Sequence, residues 1–206
     1  PNTCSAKVGI GDLGDILIFP YTKKTKGKPI ATFDKKEEHA KVGYYSVKFN
    51  NYDVNSELTS TKRVGMHQYH YGADSQKKLL VDIGHILQRT WGHSNVYNEL
   101  EIINNKTIRG LKHSKGWANS HKVYFYAEFS SPFKIDSVIV DKKSISRSNI
   151  YRGKNIYAKF SFNALQNNDP LLIKVSISPV DTDGAQKNMK AELDHWDFKE
   201  VRKENE

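Results

Sequence analysis

Three groups of residues in this chain have types and spacing suited to chemistry: a glycine-rich run carrying two carboxylates, a scatter of eight histidines, and a tryptophan among small polar residues. Gly9-Ile10-Gly11-Asp12-Leu13-Gly14 fits the letters G-x-G-x-x-G. In dinucleotide-binding proteins that run joins a strand to a helix, so that a pyrophosphate meets the helix N-terminus. Here it leads into Asp15-Ile16-Leu17-Ile18-Phe19-Pro20, a strand pattern closed by proline. The nucleotide reading fails on that context. What remains is a loop presenting Asp12 and Asp15, able to hold a sugar hydroxyl or a hard cation, or else simply solvated.

The histidines do not assemble a metal site by spacing. His67 and His70 are three apart, which places them on opposite faces of a strand. His85 and His93 flank Trp91, and His113 and His121 flank Trp117; Cys4 is the single cysteine, and zinc-type spacing is lacking. Glycoside hydrolysis needs two carboxyl groups at a set separation. Glu37-Glu38, Glu57, Glu99, Glu101 and Glu128 fall on separate expected strands and loops, so no catalytic pair is nominated. A nucleophile elbow, a phosphate loop and a Ser/Cys-His arrangement are equally missing. Gly116-Trp117-Ala118 lies between strands expected to end near Leu111 and restart near Lys122, with Ser114, Lys115, Asn119 and His121 alongside. An aromatic face beside polar groups suits a sugar, whose apolar ring face stacks while its hydroxyls bond. The alternative is that Trp117 plugs the end of a sandwich.

The elements that must position these residues are strands. Period-2 alternation recurs at Tyr45/Val47/Phe49, Leu79/Val81/Ile83, Val123/Phe125/Ala127/Phe129, Ile156/Ala158/Phe160/Phe162 and Leu171/Ile173/Val175/Ile177. Turn clusters separate them, among them Asn50-Asn51, Asn104-Asn105 and Asn167-Asn168-Asp169-Pro170. About a dozen short strands without intervening helical patterns predict a mainly β protein, an antiparallel β-sandwich. One segment departs from this rule. Asp183-Gly184-Ala185-Gln186 reads as a helix start, followed by Ala185, Met189, Leu193 and Trp196 at helical spacing. The expected organisation is a sandwich over 1–180 and a helical linker over 181–206 leading toward another domain. A helix capping its own sheet is the alternative.

Composition narrows the classes further. The chain has 206 residues, of which 11% are aromatic; this favours a pleated, half-buried surface over a helical bundle. Apolar runs stay far below the ~18 residues of a membrane helix, so no membrane span is expected. A net charge of +9 invites a nucleic-acid reading. The lysines, however, come in scattered pairs such as Lys23-Lys24, Lys35-Lys36, Lys77-Lys78 and Lys142-Lys143, without interleaved aromatics. Solvated loop tips explain them, and no nucleic-acid partner is expected.

Four stretches in order carry a resemblance: Gly11 to Pro20, Glu37 to Val47, Glu57 to Tyr69, and Leu80-Val81-Asp82-Ile83-Gly84-His85. Together with Gly116-Trp117-Ala118, Glu128 to Phe133 and Ala191 to Phe198, the chain resembles the N-terminal β-sandwich domain of bacterial α-mannosidases of glycoside hydrolase family 92. The resemblance implies a galactose-mutarotase-like supersandwich. It also implies a parent that is a calcium-dependent, inverting exo-α-mannosidase, often acting on α-1,2 links of N-glycans, in the periplasm or secreted. Its acid, base and calcium would belong to a C-terminal (α/α)6 barrel beyond this chain, which is expected to be inactive by itself. The expected partners are that catalytic domain and a mannose-containing glycan. Family chains carry further strands and a histidine-containing stretch before the Gly-Asp-x-Gly-Asp loop, where this chain has only Pro1 to Val8, so the domain's sugar contacts are expected to be partly represented. Asp12, Asp15 and Trp117 are the pocket-side candidates. A free-standing carbohydrate-binding module is the rival reading.

Overall fold

In a computed structural model of the chain, residues 16–73, 75–87, 92–146 and 148–205 are described. Fourteen strands and two helices follow in order: β1 (Leu17–Tyr21), β2 (His39–Lys41), β3 (Tyr44–Phe49), β4 (Val54–Ser60), β5 (Val64–Tyr71), β6 (Lys78–Asp82), β7 (Ser94–Asn104), β8 (Thr107–Lys115), β9 (His121–Phe129), β10 (Lys134–Val140), β11 (Lys143–Ile145), β12 (Ile150–Gly153), β13 (Ile156–Ser161), β14 (Leu171–Ser178), α1 (Thr182–Glu192) and α2 (Phe198–Asn205). They form two antiparallel sheets, a five-stranded one ordered β1-β6-β13-β10-β11 and a nine-stranded one ordered β12-β7-β8-β9-β14-β5-β4-β3-β2. The antiparallel sandwich expected from the alternation is therefore the fold.

The alternating residues are the reason the sheets face each other. Val123, Phe125, Ala127 and Phe129 are all buried, as are Ile156, Ala158, Phe160 and Phe162. Their burial removes apolar surface from water, roughly 2–3 kcal/mol for each large side chain. Phe133 stacks on Phe160 with ring centroids 4.4 Å apart, and Phe129 meets Phe160 edge-on at 6.0 Å. Ile177 breaks the pattern at the end of its strand, where it is exposed.

A second apolar cluster lies on the outer face of the nine-stranded sheet. Val64, Met66 and Tyr126 from the strands meet Ala185, Met189, Leu193, Phe198 and Val201 from the helices. The N-cap lies two residues before the Asp183 at which the sequence suggested the helix start: Asp181 accepts from the Gly184 amide, leaving Asp183 in the first turn. The helices are thus seated on the sheet. Their last described turn is tied down as well, since the Asn205 side-chain amide donates to the Ser60 carbonyl at the end of β4.

Candidate functional site

Strand register brings four segments from distant parts of the chain to one end of the sandwich. Ser94 opposes Lys115 and Ser114 opposes His121, so the start of β7, the end of β8 and the start of β9 lie together. Gly153 opposes Asn98, which adds the β12–β13 turn. In the other sheet Asp82 opposes both Leu17 and Tyr157, so β1 begins and β6 finishes at this end.

Side-chain amides stitch the two sheets here. Asn95 Nδ2 donates to the Gly84 carbonyl (2.9 Å) and to Asn155 Oδ1 (3.2 Å), and Asn98 Nδ2 donates to the Lys154 carbonyl (2.6 Å). The Lys112 ammonium donates to the His85 carbonyl. Asp82, fully buried, takes the Gly84 amide on one oxygen at 3.0 Å and the Lys28 ammonium on the other. The β10–β11 turn joins the same assembly. Asp141 and Lys142 both have positive φ, the two-residue hairpin geometry that matches strand twist. The Asp141 carboxylate then accepts the Lys154 and Asn155 amides, and the Asn155 bond chiefly holds it below the usual carboxylate range.

Between these segments opens a cleft of about 530 Å³ whose polar lining is His93, Ser94, Asn95, Lys115, Lys154 and Asn155. Two buried amide oxygens, Asn95 Oδ1 and Asn98 Oδ1, have no hydrogen-bond partner there. A buried acceptor without a donor costs about 1–3 kcal/mol; Asn95 lines the cleft, where a ligand hydroxyl would reach it, whereas Asn98 is fully buried behind the lining. Beside the cleft stands the β8–β9 turn. It is shorter than expected, because β8 runs on to Lys115 and β9 starts at His121. A Cβ on Gly116 would sit 2.5 Å from His93 Cδ2, so glycine lets this turn lie directly on the cleft wall. Trp117 at its tip is 77% exposed. It does not plug the sandwich; its ring face is free to stack.

Asp12 and Asp15 lie outside the described residues. Of the three sequence candidates, then, Trp117 alone is placed. Asn95, Lys154 and Asn155 escaped the sequence reading, since isolated polar residues at strand ends carry no spacing signal.

Four glutamates on the strands are occupied. Glu99 accepts from Arg152 (2.7 Å) and Tyr97 (3.1 Å), Glu101 from Arg109 (2.7 Å), and Glu128 pairs with Lys174 (3.1 Å). Glu57 accepts from Tyr44 and Gln68. His67 is buried against the Tyr69 hydroxyl (2.7 Å), and burial pushes its imidazole down to about 3, so it is uncharged at neutral pH. Among the described residues no group of three or more His, Cys, Asp or Glu is arranged to hold a metal, whereas calcium takes six to eight oxygen ligands. The described residues do not fit that ion. The described residues of the cleft's lining include no carboxylate; what they offer is hydrogen bonding, with the exposed Trp117 beside them.

Residues 2–178 match the family model described as the glycosyl hydrolase family 92 N-terminal domain. The GH92 α-mannosidase BT3965 from Bacteroides thetaiotaomicron superposes with a TM-score of 0.84 at 33% identity, over 94% of this chain and 28% of that one. The same enzyme in complex with mannoimidazole gives 0.83 at 33% identity, over 94% and 27%. The GH92 inverting mannosidase BT2199 from B. thetaiotaomicron VPI-5482 gives 0.78 at 18% identity, over 92% and 25%, a likeness of fold. No curated protein matches. The chain spans about a quarter of the length of these solved structures.

Proposed function

The chain belongs to the glycosyl hydrolase family 92 N-terminal domain family, and from that premise we propose that it is the non-catalytic sandwich of a calcium-dependent, inverting exo-α-mannosidase. It packs on a catalytic (α/α)6 barrel and shapes the sugar pocket with its Trp117 end. The observation that carries this reading is the pairing of an exposed tryptophan with buried, unpartnered amide oxygens at one end of the sandwich. An exposed aromatic side chain and amide groups of the kind that suit a sugar stand there, while Glu57, Glu99, Glu101 and Glu128 are each engaged by their own partners. Seated helices whose last described turn is tied to Ser60 give a firm base from which a following domain would extend. Calcium and the acid–base pair belong to that domain, as does preference for α-1,2-linked mannosides of N-glycans. The setting is the bacterial periplasm or exterior.

The test is hydrolysis. A clean preparation of these 206 residues releases no mannose from α-1,2-mannobiose with calcium present, and the same chain joined to its catalytic domain does. Turnover by the chain alone overturns the reading. A second reading, a free-standing carbohydrate-binding module, draws on the same exposed Trp117. Calorimetry separates the two: saturable mannose binding at millimolar concentration or below by the isolated chain favours the module.

A further inference from the structure

The opposite end of the sandwich has a cleft of its own, and its chemistry is different. Tyr21, Lys78, Ser161 and Lys134 lie in one register row across the five-stranded sheet. At the end of that row is a cleft of about 400 Å³ lined by Lys24, Lys77, Lys78, Lys134, Asp136 and Ser161, with Ser75 in its wall.

The single acid among the described residues of this lining is already committed. Asp136 Oδ2 accepts the buried Lys78 ammonium at 2.7 Å, and Asp136 Oδ1 accepts the Ser161 hydroxyl at 2.9 Å. The Lys77 ammonium rests on Asn167 Oδ1 at 3.0 Å. Lys24 and Lys134 are exposed and form no ion pair among the described residues. Behind them Lys159 holds the Thr25 and Gly27 carbonyls. Burial keeps Lys159 below the usual lysine range; Asp136 opposes that effect and Lys78 adds to it. Among the described residues, five cations thus gather about one carboxylate. Independently of charge, the Ser75 hydroxyl is buried with no hydrogen-bond partner.

We infer that this cleft is a binding site for a tetrahedral oxyanion, the phosphate or sulfate group, either free or as a monoester on a glycan. Ammonium groups crowded at a partly desolvated site repel one another, and an oxyanion between Lys24, Lys78 and Lys134 relieves that repulsion with charge-assisted hydrogen bonds. The Ser75 hydroxyl supplies a neutral donor to the same anion. The site does not rest on the mannosidase reading, because it lies at the other end of the fold and would stand if that reading fell.

The test is titration of the 206-residue chain with inorganic phosphate, with mannose 6-phosphate and with mannose, followed by amide chemical shifts in dilute buffer. Both phosphates saturate with shifts concentrated at residues 75–78, 134–136 and 161–163, and mannose leaves those residues unmoved. The double substitution Lys24→Glu and Lys134→Glu, at exposed positions, leaves the melting temperature in place and weakens phosphate binding by about tenfold or more; Ser75→Ala weakens it by a few-fold. Tighter binding of the ester than of inorganic phosphate identifies a glycan-borne group, and equal binding identifies the free ion. Shifts spread over all the lysine-bearing loops, no saturation, or an unaffected double variant overturns the inference.

Discussion

The two ends of this sandwich sit on the same strands and differ in the balance of groups they present to solvent. At the Trp117 end the sheets are joined by asparagine side chains, and the cleft is lined by amides, a serine and a histidine beside two lysines. At the other end four lysines and one aspartate line the cleft. The packing beneath also differs. Phe129, Phe133, Phe160 and Phe162 cluster under the lysine end, whereas Val81, Ile83, Ile156 and Val138 fill the core near the asparagine end. The lesson is that a scaffold of paired strands fixes where loops emerge without fixing what they bind. Neutral donors and acceptors with a free aromatic face suit a sugar, and crowded ammonium groups suit an anion.

The comparison breaks most severely if the aromatic cluster is opened. Phe160→Ala is expected to cost about 3–5 kcal/mol of stability, measured by urea unfolding. Hydrogen exchange should accelerate first at Lys78 and Ser161, ahead of the amides around Asn95. Equal loosening at both ends would show that the two are not separable. A smaller effect probes the stitched end. Asn98→Ala removes the donor to the Lys154 carbonyl and is expected to cost about 1–3 kcal/mol, with phosphate binding at the far end unchanged. The smallest effect on stability is the most telling for function. Trp117→Ala should alter stability by less than about 0.5 kcal/mol, because the side chain is 77% exposed. In the enzyme carrying its catalytic domain, the same change should raise KM for α-1,2-mannobiose several-fold. Unchanged kinetics would remove Trp117 from the pocket.

Legibility in the sequence followed the range of the interaction. Runs such as Val123 to Phe129 could be read because burial on one face of a strand writes itself as alternation, and the structure buries every one of those residues that the pattern assigned to the core. The β8–β9 turn was legible as a polar loop around Trp117, but its true limits depended on how far β8 pairs with β7, which adds Ser94 opposite Lys115. Asp141 could not be seen as a staple at all, since its partners Lys154 and Asn155 come from a different hairpin.

By itself the sequence determined the antiparallel β class, the helical segment near the C-terminus and the presence of a tryptophan suited to stacking, because each is a local property of spacing and side-chain type. Only the tertiary structure decided that Trp117 points to solvent, that Asn95 meets Gly84 and Asn155, and that Lys24, Lys78 and Lys134 share a cleft. Alternation tells each strand which face to bury and says nothing about its neighbours. Those neighbours are chosen by packing and pairing over the whole chain, and they set which loops share an end.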